Sequence, residues 1–147
     1  MKDHKYLEAA EYIDSQREQI AERIMQDGGI YLYQDYSKYQ IDKCRQDTLY
    51  NLQYLAEAMR IESPRLWDNY VIWLRTLLSS LGLRMPGLAQ HFKTMGDVLG
   101  SLLDPPAGHF VKLLTDSAAK LVLEDDSTRR MQQDAPGKFT EQSLKVP

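Results

Sequence analysis

The residues with the most to offer chemically stand together at Lys43-Cys44-Arg45-Gln46-Asp47, with Tyr50 three positions further on. Cys44 is the only cysteine in the chain. The question it raises is whether this thiol is core filling or the attachment point of a ligand. On spacing alone it belongs to an apolar stripe. Cysteine is among the most buried residue types, which favours core filling. Asp47 stands one helical turn from Cys44 and four residues from Lys43. The second spacing suits a surface ion pair worth about a few tenths of a kcal/mol.

Other chemistry is missing from the chain. It has no Walker loop, no dinucleotide glycine pattern, no HExxH and no serine in a nucleophile-elbow context. The histidines are His4, His91 and His109, and none falls within 30–90, where central helices would enclose a pocket. Haem needs an axial ligand. His91 stands among Leu88, Phe92 and Met95 and reads as the edge of a packed face, so haem is not expected. A lone cysteine forms neither an internal disulfide nor a cysteine-based zinc site, so no metal is expected. The acidic run Glu124-Asp125-Asp126 reads as solvated charge. These absences predict a protein that is not an enzyme.

The elements that must position Cys44 and Asp47 are helical. Ile41, Cys44, Thr48, Leu52, Leu55 and Met59 step by three or four and predict a helix over 38–60 with one buried stripe. Beside it Gln40, Lys43, Asp47, Tyr50, Tyr54 and Glu57 form a polar and aromatic stripe at the core margin. Upstream, Tyr6, Ala10, Ile13, Ile20 and Ile24 predict one helix over 5–26, stopped at Gly28-Gly29. The tyrosine-rich stretch 30–39 reads as a connector. Ser63-Pro64 opens another helix as N-cap and first residue. Its face is Trp67, Tyr70, Val71, Leu74, Leu77, Leu78 and Leu81, and Gly82 ends it. Trp73 lies off that face and is expected to be partly exposed or at a dimer contact. Pro86 starts a helix with Leu88, Phe92, Met95, Leu99 and Leu102 inward. After Asp104-Pro105-Pro106, a last helix over 107–123 uses Phe110, Val111, Leu114, Ala118, Leu121 and Val122. Residues 1–123 read as one helical domain and 124–147 as a disordered tail. Short connections and no strand-like alternation predict an all-α fold of five to six helices.

Composition narrows the partners. The 147 residues are 43% hydrophobic and 27% charged with a net charge of -3, and Lys and Arg are scattered, so no nucleic acid is expected. No apolar run approaches the roughly 18 residues that would span a bilayer. The start MKDHKYLEAAEY lacks an apolar signal core, which predicts a cytoplasmic protein. Nine tyrosines and two tryptophans suit a core, an interface or a flat ligand.

The run Lys43-Cys44-Arg45-Gln46-Asp47 with Tyr50 resembles the chromophore-binding segment of phycobiliproteins, the globin-fold light-harvesting proteins of cyanobacteria. Their pattern is a cysteine, one residue, then Arg-Asp on a central helix. The resemblance extends through Asn51-Leu52-Gln53-Tyr54, Arg65 to Tyr70, Leu81-Gly82 and Pro86. It covers about residues 8–122, with 43–82 its specific part. It implies a globin-like helical fold. It also implies that Cys44 forms a thioether to a linear tetrapyrrole (bilin) and that Asp47 accepts hydrogen bonds from the pyrrole nitrogens. Lys43 and an arginine would pair with the propionates, and Tyr50 and Tyr70 would line the pocket.

This sequence departs from that pattern twice. Gln46 occupies the family's arginine position, and Arg45 is displaced by one residue, about 100° around the helix. The chain also has fewer residues ahead of its cysteine, so the N-terminal helical hairpin of phycobiliproteins is expected to be lacking and a light-harvesting rod subunit is not expected. The segment also resembles globin-like domains of non-photosynthetic bacteria, some found beside bilin-synthesis genes and others preceding cobalamin-binding domains in regulators. The leading expectation is a non-enzymatic bilin carrier or sensor, with the pigment between the 38–60 and 64–82 helices. The alternatives are a pigment-free regulatory domain that forms a homodimer or docks a helical partner, and a globin-like pocket for another apolar small molecule such as a fatty acid.

Overall fold

The computed structural model describes residues 5–29 and 36–124. Among them are six helices and no strand: α1 Leu7–Ser15, α2 Arg17–Asp27, α3 Lys38–Arg60, α4 Pro64–Ser80, α5 Met85–Leu102 and α6 Ala107–Leu123. The chain is all-α. The tyrosines at 31 and 33 and the expected tail beyond residue 124 lie outside the described residues. None of the described helices is long and apolar enough to cross a membrane.

The single helix expected over 5–26 is two helices bent at Gln16, whose backbone sits at φ -111°, ψ 19°. The hydrogen bonds nearly continue through the bend, from Gln16 N–H to Tyr12 O at 3.0 Å and from Ile20 N–H to Gln16 O at 2.9 Å. Two causes act together. The Ser15 hydroxyl donates to Tyr12 O at 3.1 Å, a local bond that competes with the helix ladder. A straight helix would also set Arg17 between Ile13 and Ile20 on the buried stripe, at a high desolvation cost. The bend buries both isoleucines and keeps Arg17 at the margin.

The central corner matches its sequence signals. Ser37 and Gln40 form a reciprocal capping box that starts α3. The Ser63 hydroxyl accepts from Leu66 N–H at 3.0 Å, and Pro64 stands in the first turn of α4. Gly82 takes φ +86° at the end of α4, where a side chain would be strained. Only residues 61–63 join α3 to α4, and the two helices meet where Tyr54 stacks on Tyr70. Two expected inward leucines fall outside: Leu81 is 68% exposed and Leu102 37% exposed, because each lies at a helix end where no further helix covers it.

The core gathers α4, α5 and α6 around Trp67, which is fully buried. Its indole N–H donates to Leu114 O at 2.7 Å, and its ring meets Phe92 edge-on with centroids 5.8 Å apart. The α5–α6 crossing is close because Gly96 faces Thr115. A Cβ at Gly96 would lie 3.1 Å from Thr115 Cβ and closer still to its hydroxyl, which is held by Val111 O at 3.0 Å. Gly96→Ala is therefore expected to destabilise the protein by about 1 kcal/mol, since overpacking (about 1–3 kcal/mol) outweighs a helix-propensity gain of up to about 1 kcal/mol. Urea unfolding followed by circular dichroism checks this. Adding Thr115→Ala should return at least half of the loss, whereas a net gain from Gly96→Ala alone would mean that the crossing is looser than described.

Candidate functional site

The capping box sets where α3 begins, and its register then places the conspicuous residues on different sides of one helix. Lys43 Nζ pairs with Asp47 Oδ1 at 3.3 Å. The Asp47 side chain is only 22% exposed. Burial lifts its carboxyl above the ordinary range, and the Lys43 ammonium opposes that rise. Cys44 is half-buried, and its thiol is pushed up by burial, then by the Asp47 charge, with Lys43 pulling the other way. A raised thiol is a weaker source of thiolate at neutral pH. Arg45 turns toward α2: its Nε meets Glu22 Oε1 at 3.3 Å and its Nη1 meets Asp42 Oδ1 at 2.9 Å. The one-residue displacement of the arginine thus gives it carboxylate partners away from Asp47.

Tyr70 is closed into the packing between α3 and α4 and lines no open space. It is fully buried, its ring stacks on Tyr54 with centroids 4.2 Å apart, and its hydroxyl donates to Asn51 Oδ1 at 2.5 Å. Burial, with Asp47 next among the causes, drives its phenol well above the ordinary value, so it stays a neutral donor. Asn51 is buried, and the sequence reading did not single it out. Its place between Tyr50 and Leu52 on a helix flanked by tyrosines was the available signal, since a buried amide needs a partner of this kind. At the level of Tyr54 and Tyr70 the side chains of α3 and α4 pack directly on one another. The half-buried Trp73 lies next to Tyr70, with centroids 6.2 Å apart.

Thr48, one turn after Cys44, meets α5. The Thr48 hydroxyl donates to Cys44 O at 2.8 Å and lies 3.4 Å from His91 Nε2. His91 is half-buried, and burial lowers its pKa to about 4. It is neutral near pH 7.

A cleft of about 860 Å³ opens on another flank of α3, between that helix and the α1–α2 bend. Arg17, Gln19 and Glu18 contribute from the bend, and Gln46, Tyr50 and Gln53 from α3. Along both walls it falls between two ionic clasps. Asp14 pairs with Arg17 at 3.3 Å and also with Arg60 at the end of α3, and Glu22 pairs with Arg45 near its start. Cys44 and Asp47 do not line it. Cys44 and Gln46 are two residues apart, about 200° around a helix, which sets the thiol and the cleft on roughly opposite sides. Of the residues expected to bind a ligand, only Tyr50 reaches this space. Arg17 and the glutamines were not expected there. The gap in the apolar stripe between Ile13 and Ile20 marks where Arg17 stands.

Among the described residues, no cluster of three His, Cys, Asp or Glu side chains could hold a metal ion. No protein-family model matches this chain, and no curated protein matches its sequence.

Proposed function

We propose that this chain is a non-enzymatic ligand-binding protein of globin-like arrangement, a carrier or sensor of a linear tetrapyrrole held along α3 by Asp47. The observation that carries the reading is the Asp47 carboxylate. It is largely withdrawn from water, with Lys43 beside it and Cys44 one turn away. A desolvated carboxylate strengthens whatever N–H donors reach it, and pyrrole nitrogens are donors of that kind. The seat in this reading lies along the first half of α3, on the N-terminal side of the Tyr54–Tyr70 stack. In that position Lys43 pairs with a propionate and Cys44 is within one turn of the pigment, while Arg45, held by Glu22 and Asp42, takes no part.

Titration of the purified protein with biliverdin and with phycocyanobilin tests this. A sharpened and intensified red absorption band is expected, and Asp47→Ala should flatten it. Cys44→Ala should abolish any pigment that stays attached in denaturant. Broad free-pigment absorption from the parent protein overturns the reading. A second reading, a pigment-free interaction domain, is favoured by Leu81 and Leu83, which are 68% and 47% exposed at the α4–α5 connection. Free-pigment spectra together with a concentration-dependent dimer in sedimentation would select it.

A further inference from the structure

We propose that the cleft between the α1–α2 bend and α3 binds a small organic anion, its carboxylate, sulfonate or phosphate head held by Arg17 and Tyr50. The proposal rests on two polar atoms that have no hydrogen-bond partner although they are buried: Arg17 Nε and the Tyr50 hydroxyl. Both belong to residues that line this one cleft. Tyr50 as a whole is only 8% exposed. Buried polar groups are nearly always satisfied, so an exception asks for a missing acceptor. One acceptor group in the cleft that both residues line would serve the two. Arg17 Nε–H can only donate, and a phenol readily donates, so the absent group is an oxygen acceptor.

A guanidinium N–H binds a charged oxygen more strongly than a neutral one, which favours an anion. Asp14 is shared between Arg17 and Arg60, so it offsets the Arg17 charge only in part, and Arg60 pairs with Glu57 as well. Glu18 opposes this but stands exposed at the rim, where water screens it. The volume of about 860 Å³ exceeds what a bare ion needs and lies within the usual range for small-molecule sites. The glutamines at 46 and 53 and the Tyr54 ring then face the uncharged body of the ligand. This site is separate from the proposed pigment seat, because Cys44 and Asp47 do not line it.

The test uses the full chain and the aromatic sulfonate 1-anilinonaphthalene-8-sulfonate, followed by fluorescence. Saturable one-site binding is expected. Tyr50→Phe and Arg17→Gln should each weaken it roughly tenfold, the size of one hydrogen bond to a charged group. Asp47→Ala and Cys44→Ala should leave it unchanged, which separates this site from the pigment reading. The uncharged analogue N-phenyl-1-naphthylamine should not respond to Tyr50→Phe or Arg17→Gln. Tyr50→Phe should fold as well as the parent or better, because it removes a hydroxyl without a partner and keeps the ring. If Tyr50→Phe melts at the same or a higher temperature yet binds the sulfonate as the parent does, ordered water alone satisfies that hydroxyl and the site is overturned. Absence of saturable binding overturns it too.

Discussion

Trp67→Ala is expected to remove about 4 kcal/mol of folding stability, within the range of about 3–5 kcal/mol for truncating a buried tryptophan. Three contributions add. The ring is fully buried, so its apolar surface is lost from the core. Its edge-on contact with Phe92 and its packing on Tyr70 are lost with it. The hydrogen bond from its indole N–H to Leu114 O, which ties α4 to α6 inside the core, is lost too. Small domains are stable by only about 5–15 kcal/mol, so this one change removes a large share. Trp67→Phe refills part of the space but leaves the carbonyl of Leu114 without its second partner, and should fall between parent and Ala variant. Urea unfolding by circular dichroism decides the matter, with Trp73 fluorescence as a second signal. A loss below about 1 kcal/mol for Trp67→Ala would mean that this helix junction is not where the core is held.

The second large effect is acid destabilisation through His91. Its imidazole titrates near pH 6.5 when free but is held down to about 4 in the fold. Between those values the unfolded chain binds the proton and the folded chain does not. Stability therefore falls as pH drops from about 6.5, and the full loss is reached once the pH is below about 4. A shift of this size corresponds to about 3 kcal/mol at 1.36 kcal/mol per pH unit. Asp47 and Asp68 act in the opposite sense. Their folded values are raised by burial, so each adds stability as the pH falls through its folded value toward the ordinary carboxylate range. Comparing the parent with His91→Gln cancels those carboxylates and isolates the imidazole. The variant should show a flatter stability profile from pH 6.5 to 4 while unfolding similarly at pH 7.5. Parallel profiles for the two proteins would sink the assignment.

Much of the helical layout could be read from the chain because local rules decide it. Ser37, Ser63-Pro64 and Gly82 act through their own backbones and need no distant partner. The α3 stripe at Thr48, Leu52, Leu55 and Met59 is buried because its period matches the helix. The bend at Gln16 was not legible in that way. It has neither proline nor glycine, and it arises from a serine bonding backward and an arginine that the core cannot accept. Tyr70 has a pocket role only through the resemblance. Its packing depends on the distant Asn51 and Tyr54, both on another helix, which its own segment does not reveal. The cleft was harder still. Its walls are polar, lie some thirty positions apart in the chain (by the order of a loop and a helix, not by a repeat), and carry no spacing signal. Cys44 shows both sides of the lesson: its stripe predicts burial, and the structure buries half of it with the thiol set away from the cleft.

That placement also makes the solitary thiol a reporter. A chain with one cysteine can be modified at one known atom without competition. With Cys44 half-covered and its ionisation held back, a thiol reagent reacts faster whenever the early turns of α3 open to water. The labelling rate then counts those openings directly. Because the thiol and the cleft lie on opposite sides of α3, the count can be taken with the cleft empty or filled, without the label touching whatever occupies it.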